Sequence, residues 1–337
     1  MVVVTHESSG DLPALTAALV PQLQDGDEVV VVDNASKDAT ADVARSLDGP
    51  VRVLETGRNL GFAGGCHAGA HATVAPLLLF LNPDCRPEPG CLERLRHAAD
   101  LHRDWGAWQA AVLLEDGTVN SSGGVVHYLG IGWAGDCERP LSLLPADDRN
   151  VAFPSGAAMV VRRELWSELR GLDVDYFMYG EDLDLGLRIW LAGHRVGMVP
   201  AARVIHGYEF EKGPSKWFWL ERNRWRTVLS VYPAGLLALV APALLASEAG
   251  LVLIAARDGW LGPKLRAQLA VLAGLPRTLA RRRSVQATRR VGSREFAAHL
   301  TSSLESPYLA GAASGPLNAP QAFYWRLVSW ILELPAR

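Results

Sequence analysis

Cysteine is scarce in this chain: Cys66, Cys85, Cys91 and Cys137 are four among 337 residues, and no two form a C-x-x-C pair. That usage makes no case for a zinc site or a disulfide framework and fits a reducing, cytoplasmic compartment. No basic stretch or cleavage site accompanies the apolar start Val2-Val3-Val4, so no secretory signal is visible. Neither internal repeats nor low-complexity segments interrupt the sequence, and a net charge of −3 provides no strong overall field. With 49% hydrophobic residues, the length suffices for one large core plus an appendage.

What is present alternates. Met1–Thr5, Glu28–Val32, Val51–Glu55 and Val74–Leu81 read as short apolar or β-branched strands. Between and after them, Asp11–Leu23, a segment capped by Ser36–Thr40 and running to Leu47, Gly65–Thr73 and Pro89–Leu101 read as helices. This β-α-β-α rhythm predicts an α/β fold with a parallel, doubly wound sheet and ligands at the carboxyl ends of its strands.

Polar residues fall at that edge. Thr5-His6-Glu7-Ser8 follows the first strand and Asp33-Asn34-Ala35-Ser36 the second. After the third comes Asn59-Leu60-Gly61-Phe62-Ala63-Gly64-Gly65, whose glycines would let backbone N–H groups approach a phosphate. This turn is neither the dinucleotide nor the P-loop fingerprint. Asn82-Pro83-Asp84 stops the run Leu77–Leu81, leaving a carboxylate at a strand mouth, well placed for a divalent cation. About a hundred residues on, Glu181-Asp182 follows aromatic Tyr176-Phe177-Met178-Tyr179. One acid for a metal and a second for proton abstraction suit group transfer from a phosphorylated donor. Taken singly, these motifs also fit a turn aspartate, a helix cap and a solvated helix start. Asp184 and Arg188, four apart, read as an ion pair rather than as catalytic groups.

In order, the words Val31–Thr40, Asn59–Gly65, Leu81-Asn82-Pro83-Asp84, Asp116-Gly117, Ser122-Gly123-Gly124, Pro154–Met159, Gly180–Arg188 and Pro200–His206 form a specific set. Over Val2 to Tyr232 the sequence resembles the family-2 glycosyltransferases of GT-A fold (the Rossmann-like nucleotide-diphospho-sugar transferase fold), in particular their rhamnosyltransferase-like branch. The resemblance implies an inverting, metal-dependent transfer of a sugar, rhamnose by analogy with that branch, from a nucleotide-diphosphate donor to a lipid-linked or polysaccharide acceptor of the cell envelope. It implies Asp33 at the nucleobase with Thr5 and Ser8 nearby, and Asn59, Gly61, Gly64 and Gly65 closing over the nucleotide. Asn82, Asp84 and Gly156 would complete the donor site. Asp84 and His206 would hold Mg²⁺ or Mn²⁺, and Asp182 would be the catalytic base beside Glu181. Tyr179 is expected at the acceptor; Trp166 fits either an acceptor-lining position or a packed core aromatic.

The pattern is broken in places. Asn82 stands for the first acid of D-x-D, His6-Glu7 for Tyr-Asn, His67 for asparagine and Val174 for glutamate. These departures leave donor and acceptor identity open while the catalytic acids remain. A sugar-phosphate nucleotidylyltransferase would need a glycine- and arginine-rich loop after the first strand, but His6–Asp11 holds no Arg or Lys. A non-catalytic scaffold of the same fold would have no need of Asp84, Glu181 and Asp182.

From about residue 216 the chain changes character, which divides it into a catalytic domain over 1–215 and a helical, basic region over 216–337. Val228–Ser247 is 20 residues without a charge, followed by Glu248 and the uncharged Ala249–Ala256. Its length fits a membrane span, yet Pro233 and Pro242 interrupt it. A helical hairpin in one leaflet or a buried helical pair fits as well. Insertion into one leaflet is the preferred reading, with Trp217, Trp219, Trp225 and Trp260 as interface anchors. Between Arg257 and Arg294 ten Arg or Lys meet one acid, a local +9 that leaves −12 for the remainder. Arg281, Arg282, Arg283, Arg289 and Arg290 would then meet anionic headgroups on the cytoplasmic face of the cell membrane. No recognition fold for nucleic acid accompanies them.

Overall fold

The computed structural model describes residues 1–207, 215–304 and 318–333, in two compact units. The first comprises Met1–Gly124, Ala134–Ile189 and the chain from His194. Its leading elements are β1 (Val2–Thr5), α1 (Leu12–Leu19), β2 (Val29–Asp33), α2 (Thr40–Ser46), β3 (Val51–Glu55), α3 (Gly61–His71) and β4 (Leu77–Leu81). Then come β5 (Cys85–Pro87), α4 (Cys91–Leu101), β6 (Trp105–Leu113), β7 (Val119–Ser121) and, after β8 (Gly124–Val126) and β9 (Gly132–Ala134), which fall mostly in the second unit, β10 (Arg149–Asn150). The series ends with β11 (Ala158–Arg162), α5 (Arg163–Glu168), α6 (Glu181–Leu191) and β12 (Arg195–His206).

The principal sheet runs β10-β12-β6-β11-β4-β1-β2-β3. As the β-α-β rhythm predicts, β4, β1, β2 and β3 are parallel. Burial on both faces explains the unbroken valines of β1 and β2. Beyond β4, outside the segment from which the parallel sheet is read, the sheet is mixed. β11 fills the gap between β4 and β6 antiparallel to both, with Ala158 opposite Leu81. Its chain therefore enters at the carboxyl edge of β4, which brings Ser155 and Gly156 beside Asn82, whose N–H donates to Ala157 O.

α3 starts at Gly61, four residues before the sequence suggests, so the glycine-rich word is helix and not only loop. A Cβ on Gly65 would lie 2.4 Å from a Val4 methyl, and one on Gly69 2.2 Å from Val2. The glycines thus let α3 press directly on β1.

The second unit contains Val125–Trp133, Trp190–Gly193 and the C-terminal helices. These are α7 (Ser215–Val231), α8 (Ala234–Arg257), α9 (Leu261–Ala287), α10 (Ser293–Ala297) and α11 (Asn318–Glu333). Pro233 divides the uncharged run between α7 and α8, so it is not one helix. α8 is, among the described residues, the one helix long and apolar enough to cross a membrane.

Two expectations about this unit need correction. Arg281 and Arg282 are half-buried, with guanidinium donors committed to α7. Arg282 Nη1 donates to Leu229 O and Tyr232 O, both at 2.8 Å, and Arg281 bonds Ser230 Oγ, closing the carboxyl end of α7. The four tryptophans are not exposed anchors either: Trp217 stacks on Trp260 at 4.7 Å, while Arg222 lies over Trp219 and Arg224 over Trp225. Buried aromatic area outweighs an interfacial position wherever a partner ring is within reach. Residues 305–317 and 334–337 of the expected docking region lie outside those described.

Candidate active site

The polar residues collect at the carboxyl edge of the parallel strands. Thr5 is fully buried, its hydroxyl donating to Val32 O, and Ser8 donates its N–H to Thr40 Oγ1 at 2.8 Å. Asp33 is 3% exposed and accepts from Ser36 N–H. Glu7 and Ala35, in the two adjoining loops, both have positive φ. Such backbone is costly away from glycine and marks loops whose shape is imposed by their surroundings.

Asn34, which the sequence does not single out as a site residue, organises the glycine-rich turn. Its Oδ1 accepts from Leu60 N–H at 2.8 Å and its Nδ2 donates to Asn59 Oδ1 at 3.1 Å and Gly61 O at 3.0 Å. Gly61 has φ +71°, and a Cβ there would lie 2.4 Å from Phe177 O. The turn is thereby seated against the segment that precedes Glu181. Gly64 and Gly65, expected at the donor, are buried against Leu60 and Val4, so their missing side chains serve packing.

At the end of β4, Asn82 and Asp84 meet His206, which β12 delivers by pairing antiparallel with β5, His206 opposite Cys85. His206 Nε2 lies 3.2 Å from Asp84 Oδ1 and 3.4 Å from Asn82 Nδ2. On the other side of the ring, Nδ1 faces Asn120 Oδ1 at 3.2 Å. An amide oxygen only accepts, so Nδ1 carries a proton, and in the neutral imidazole Nε2 then presents its lone pair on the carboxylate side. A cation between that nitrogen and the carboxylate oxygen, 3.2 Å apart, would satisfy both. The donors fit a divalent ion: two atoms each about 2.1 Å from one ion at a right angle stand about 3 Å apart. Cys85 Sγ belongs to the same cluster but donates to Ala157 O, and burial holds its thiol well above the usual range. The available set is therefore oxygen and imidazole nitrogen, which suits Mg²⁺ or Mn²⁺.

The second centre is the start of α6. Asp182 Oδ2 accepts from Gly156 N–H at 3.0 Å and Oδ1 from Leu183 N–H at 2.7 Å. Its neighbour Glu181 is 6% exposed, and Oε2 has no hydrogen-bond partner among the described residues. Burial, and then the charge of Asp182, push the Glu181 carboxyl up to about 8. Burial also raises Asp182, while the Gly156 and Leu183 amides oppose it. The pair thus divides into an acid that keeps its proton and a carboxylate stabilised by amides, a division suited to a base and a neutral neighbour.

One turn on, the Asp184–Arg188 pair expected from spacing is present and buried. Arg188 Nε is 2.7 Å from Asp184 Oδ2, and Tyr176 OH donates to Oδ1 at 2.9 Å. Arg188 also donates to Leu169 O and Gly171 O, tying the 169–176 turn to α6. Of the two positions open to Trp166, the structure shows the packed one, at 5% exposure against Phe80 and His67. Tyr179 is half-buried with φ +66° beside the acids.

A mixed α/β sheet with these groups at its carboxyl edge defines a glycosyltransferase of GT-A fold. The glycosyl transferase family 2 profile matches residues 1–169, and that of glycosyl transferase family group 2 matches 141–264. The chain belongs to glycosyltransferase family 2. It is 31% identical over 234 residues to the N-acetylglucosaminyl-diphospho-decaprenol L-rhamnosyltransferase of Mycobacterium tuberculosis, covering 61% of this chain and 75% of that one. A shorter match, 46% over 59 residues, joins it to rhamnosyltransferase WbbL of Escherichia coli, with 18% and 22% covered. Among solved structures, GalNAc-T7 with UDP, GalNAc and Mn²⁺ superposes with a TM-score of 0.57 at 19% identity, over 69% of this chain and 48% of that one. TarS of S. aureus gives 0.53 at 16% identity, over 98% and 54%. Both show the fold.

Proposed function

We propose that this glycosyltransferase moves one sugar, with inversion, from a nucleotide-diphosphate donor to a hydroxyl of a lipid-linked glycan acceptor in cell-envelope synthesis. The M. tuberculosis relative supports a rhamnosyl donor and a diphospho-polyprenol acceptor. The catalytic part is assigned to residues 1–215 and the helical part, 216–337, to the cytoplasmic face of the membrane, where a soluble donor and a bilayer-held acceptor meet.

The observation that carries this reading is the amide-held carboxylate of Asp182, Oδ2 3.0 Å from Gly156 N, next to the neutral Glu181. Asp182 takes the proton from the acceptor hydroxyl as that oxygen bonds to the anomeric carbon. The bond from that carbon to the diphosphate breaks with its electron pair leaving on the phosphate oxygen. One displacement on the face opposite the leaving group inverts the centre. Glu181 keeps a second negative charge away from the base and offers a hydrogen bond to a sugar hydroxyl. Asp33, with Thr5 and Ser8, receives the nucleobase, and the Asn59–Gly65 turn covers the diphosphate. A divalent cation held by Asp84 and His206 would neutralise charge on the departing diphosphate.

The test is donor turnover against a panel of nucleotide sugars, with Mg²⁺, Mn²⁺ or chelator, using a prenyl-diphosphate-sugar acceptor. An inverted glycosidic product, dependent on added metal, is expected. A retained configuration, or full activity in chelator, overturns the assignment.

A further inference from the structure

α8 has the length of a membrane span, but its middle is fastened sideways. Glu248 pairs with Arg224 of α7 and accepts from Lys264 at 2.8 Å and Gln268 at 2.9 Å, both on α9. Glu221 of α7 joins the same two cations, and Arg224 Nη1 donates to Leu129 O. Two acids and two bases neutralise one another, with Lys264 fully buried. Threading α8 through hydrocarbon would either break this cluster or draw α7 and α9 in with it, and leaving a buried charge without its partner is strongly unfavourable.

Alongside this cluster the same helices expose apolar side chains. On α9, Leu265, Leu269, Leu272 and Leu279 are exposed, and their spacings of four, three and seven place them on one side of the helix. Leu269 and Leu272 are 66% and 67% exposed, values far from those of a core helix. Leu253 on α8, and Phe323 and Trp330 on α11, which packs on α8, add exposed apolar area within the same unit. α9 carries no acid in 27 residues, and Arg266, Arg277 and Arg283 are exposed along it. An exposed leucine row with exposed arginines and no carboxylate on its own helix is complementary to an anionic lipid surface.

We propose that α8 and α9 lie in the plane of one anionic leaflet, the α9 leucine row inserted at the acyl boundary and Arg266, Arg277 and Arg283 among the headgroups, without crossing the bilayer. This deepens the membrane location given above and rests on that part of it. The Glu248 cluster is the device that keeps α8 rotated with its charge inward.

The full-length protein is floated with vesicles of phosphatidylcholine alone or with added phosphatidylglycerol. Wild type should bind the anionic vesicles, and binding should weaken with salt. Leu269→Gln with Leu272→Gln should lower partition by about tenfold or more in both salt regimes. Arg277→Gln with Arg283→Gln should lower it chiefly at low salt. Unchanged flotation in the leucine variant, or no wild-type flotation on any vesicle, overturns the proposal. So does loss of a dimer in the leucine variant without loss of vesicle binding, since the row is then an interface between copies. Orientation is read with an impermeant maleimide on Ala234→Cys and Asp258→Cys, at the two ends of α8. Labelling of both from the side of addition is expected, and labelling from opposite sides means that α8 spans. Donor hydrolysis by wild type in solution separates the two readings: a wild type that is active but does not float sinks the docking, and one that floats but is inactive sinks the chemistry, whereas a leucine variant that stays active and no longer floats is the expected result.

Discussion

His206 is held from both sides: Asn120 Oδ1 lies 3.2 Å from Nδ1, and Asp84 Oδ1 lies 3.2 Å from Nε2. Under the proposed metal site, Asn120 would set the tautomer that presents the Nε2 lone pair to the ion. Asn120→Ala should reduce Mn²⁺ affinity by roughly 10–100-fold. Nitrogen NMR of His206 should show the Nε2-protonated form gaining population. Asp84→Ala, which removes the carboxylate proposed to hold the ion, should abolish the metal dependence of nucleoside-diphosphate binding in calorimetry. Wild-type metal affinity in Asn120→Ala would mean that the amide only fills space.

Asp182→Asn preserves size and can still accept from Gly156 N–H, but it cannot take a proton. Turnover should fall by roughly 10²–10⁴ while donor affinity changes little. Near-normal turnover would move the base elsewhere.

Glu181 links stability to pH. Its carboxyl rises from 4.5 to about 8 on folding, so between those values the folded protein holds a proton that the unfolded chain has released. The stabilisation is complete below about pH 4.5, declines as pH rises and is gone above about 8. Glu181→Gln, which cannot ionise, should melt with wild type at pH 4.5 and above it at pH 8.5, by on the order of 1–3 kcal/mol. A difference that does not vary with pH would contradict the raised carboxyl. Because burial raises Asp182 too, the acid limb of kcat should lie above the ordinary carboxylate range.

Arg188→Leu removes the partner of a fully buried Asp184 and strips donors from Leu169 O and Gly171 O. A loss of about 3–5 kcal/mol is expected from the shift in urea midpoint. Asp184→Asn, which keeps the Tyr176 hydrogen bond, should cost less. Equal, small losses would show the pair to be marginal.

The sequence by itself determined the parallel half of the sheet and the identity of the edge where its polar residues gather. Those features follow from local pattern: β-branched runs buried on both faces, Asn82-Pro83 ending a ladder, and Asp184–Arg188 at helical spacing. Tertiary structure alone decided that β11 runs antiparallel, because strand direction depends on the edge at which the chain re-enters. It also decided the partners across long gaps. Asn120 meets His206 from 86 residues away, and Gly156 holds Asp182 from 26. Neither contact leaves a periodic trace. The same holds for the arginines: Arg281 and Arg282 close a helix end while Arg283, next in sequence, is exposed. At about 100° per residue, neighbours on a helix face different surroundings, and only the packed bundle decides which one meets solvent.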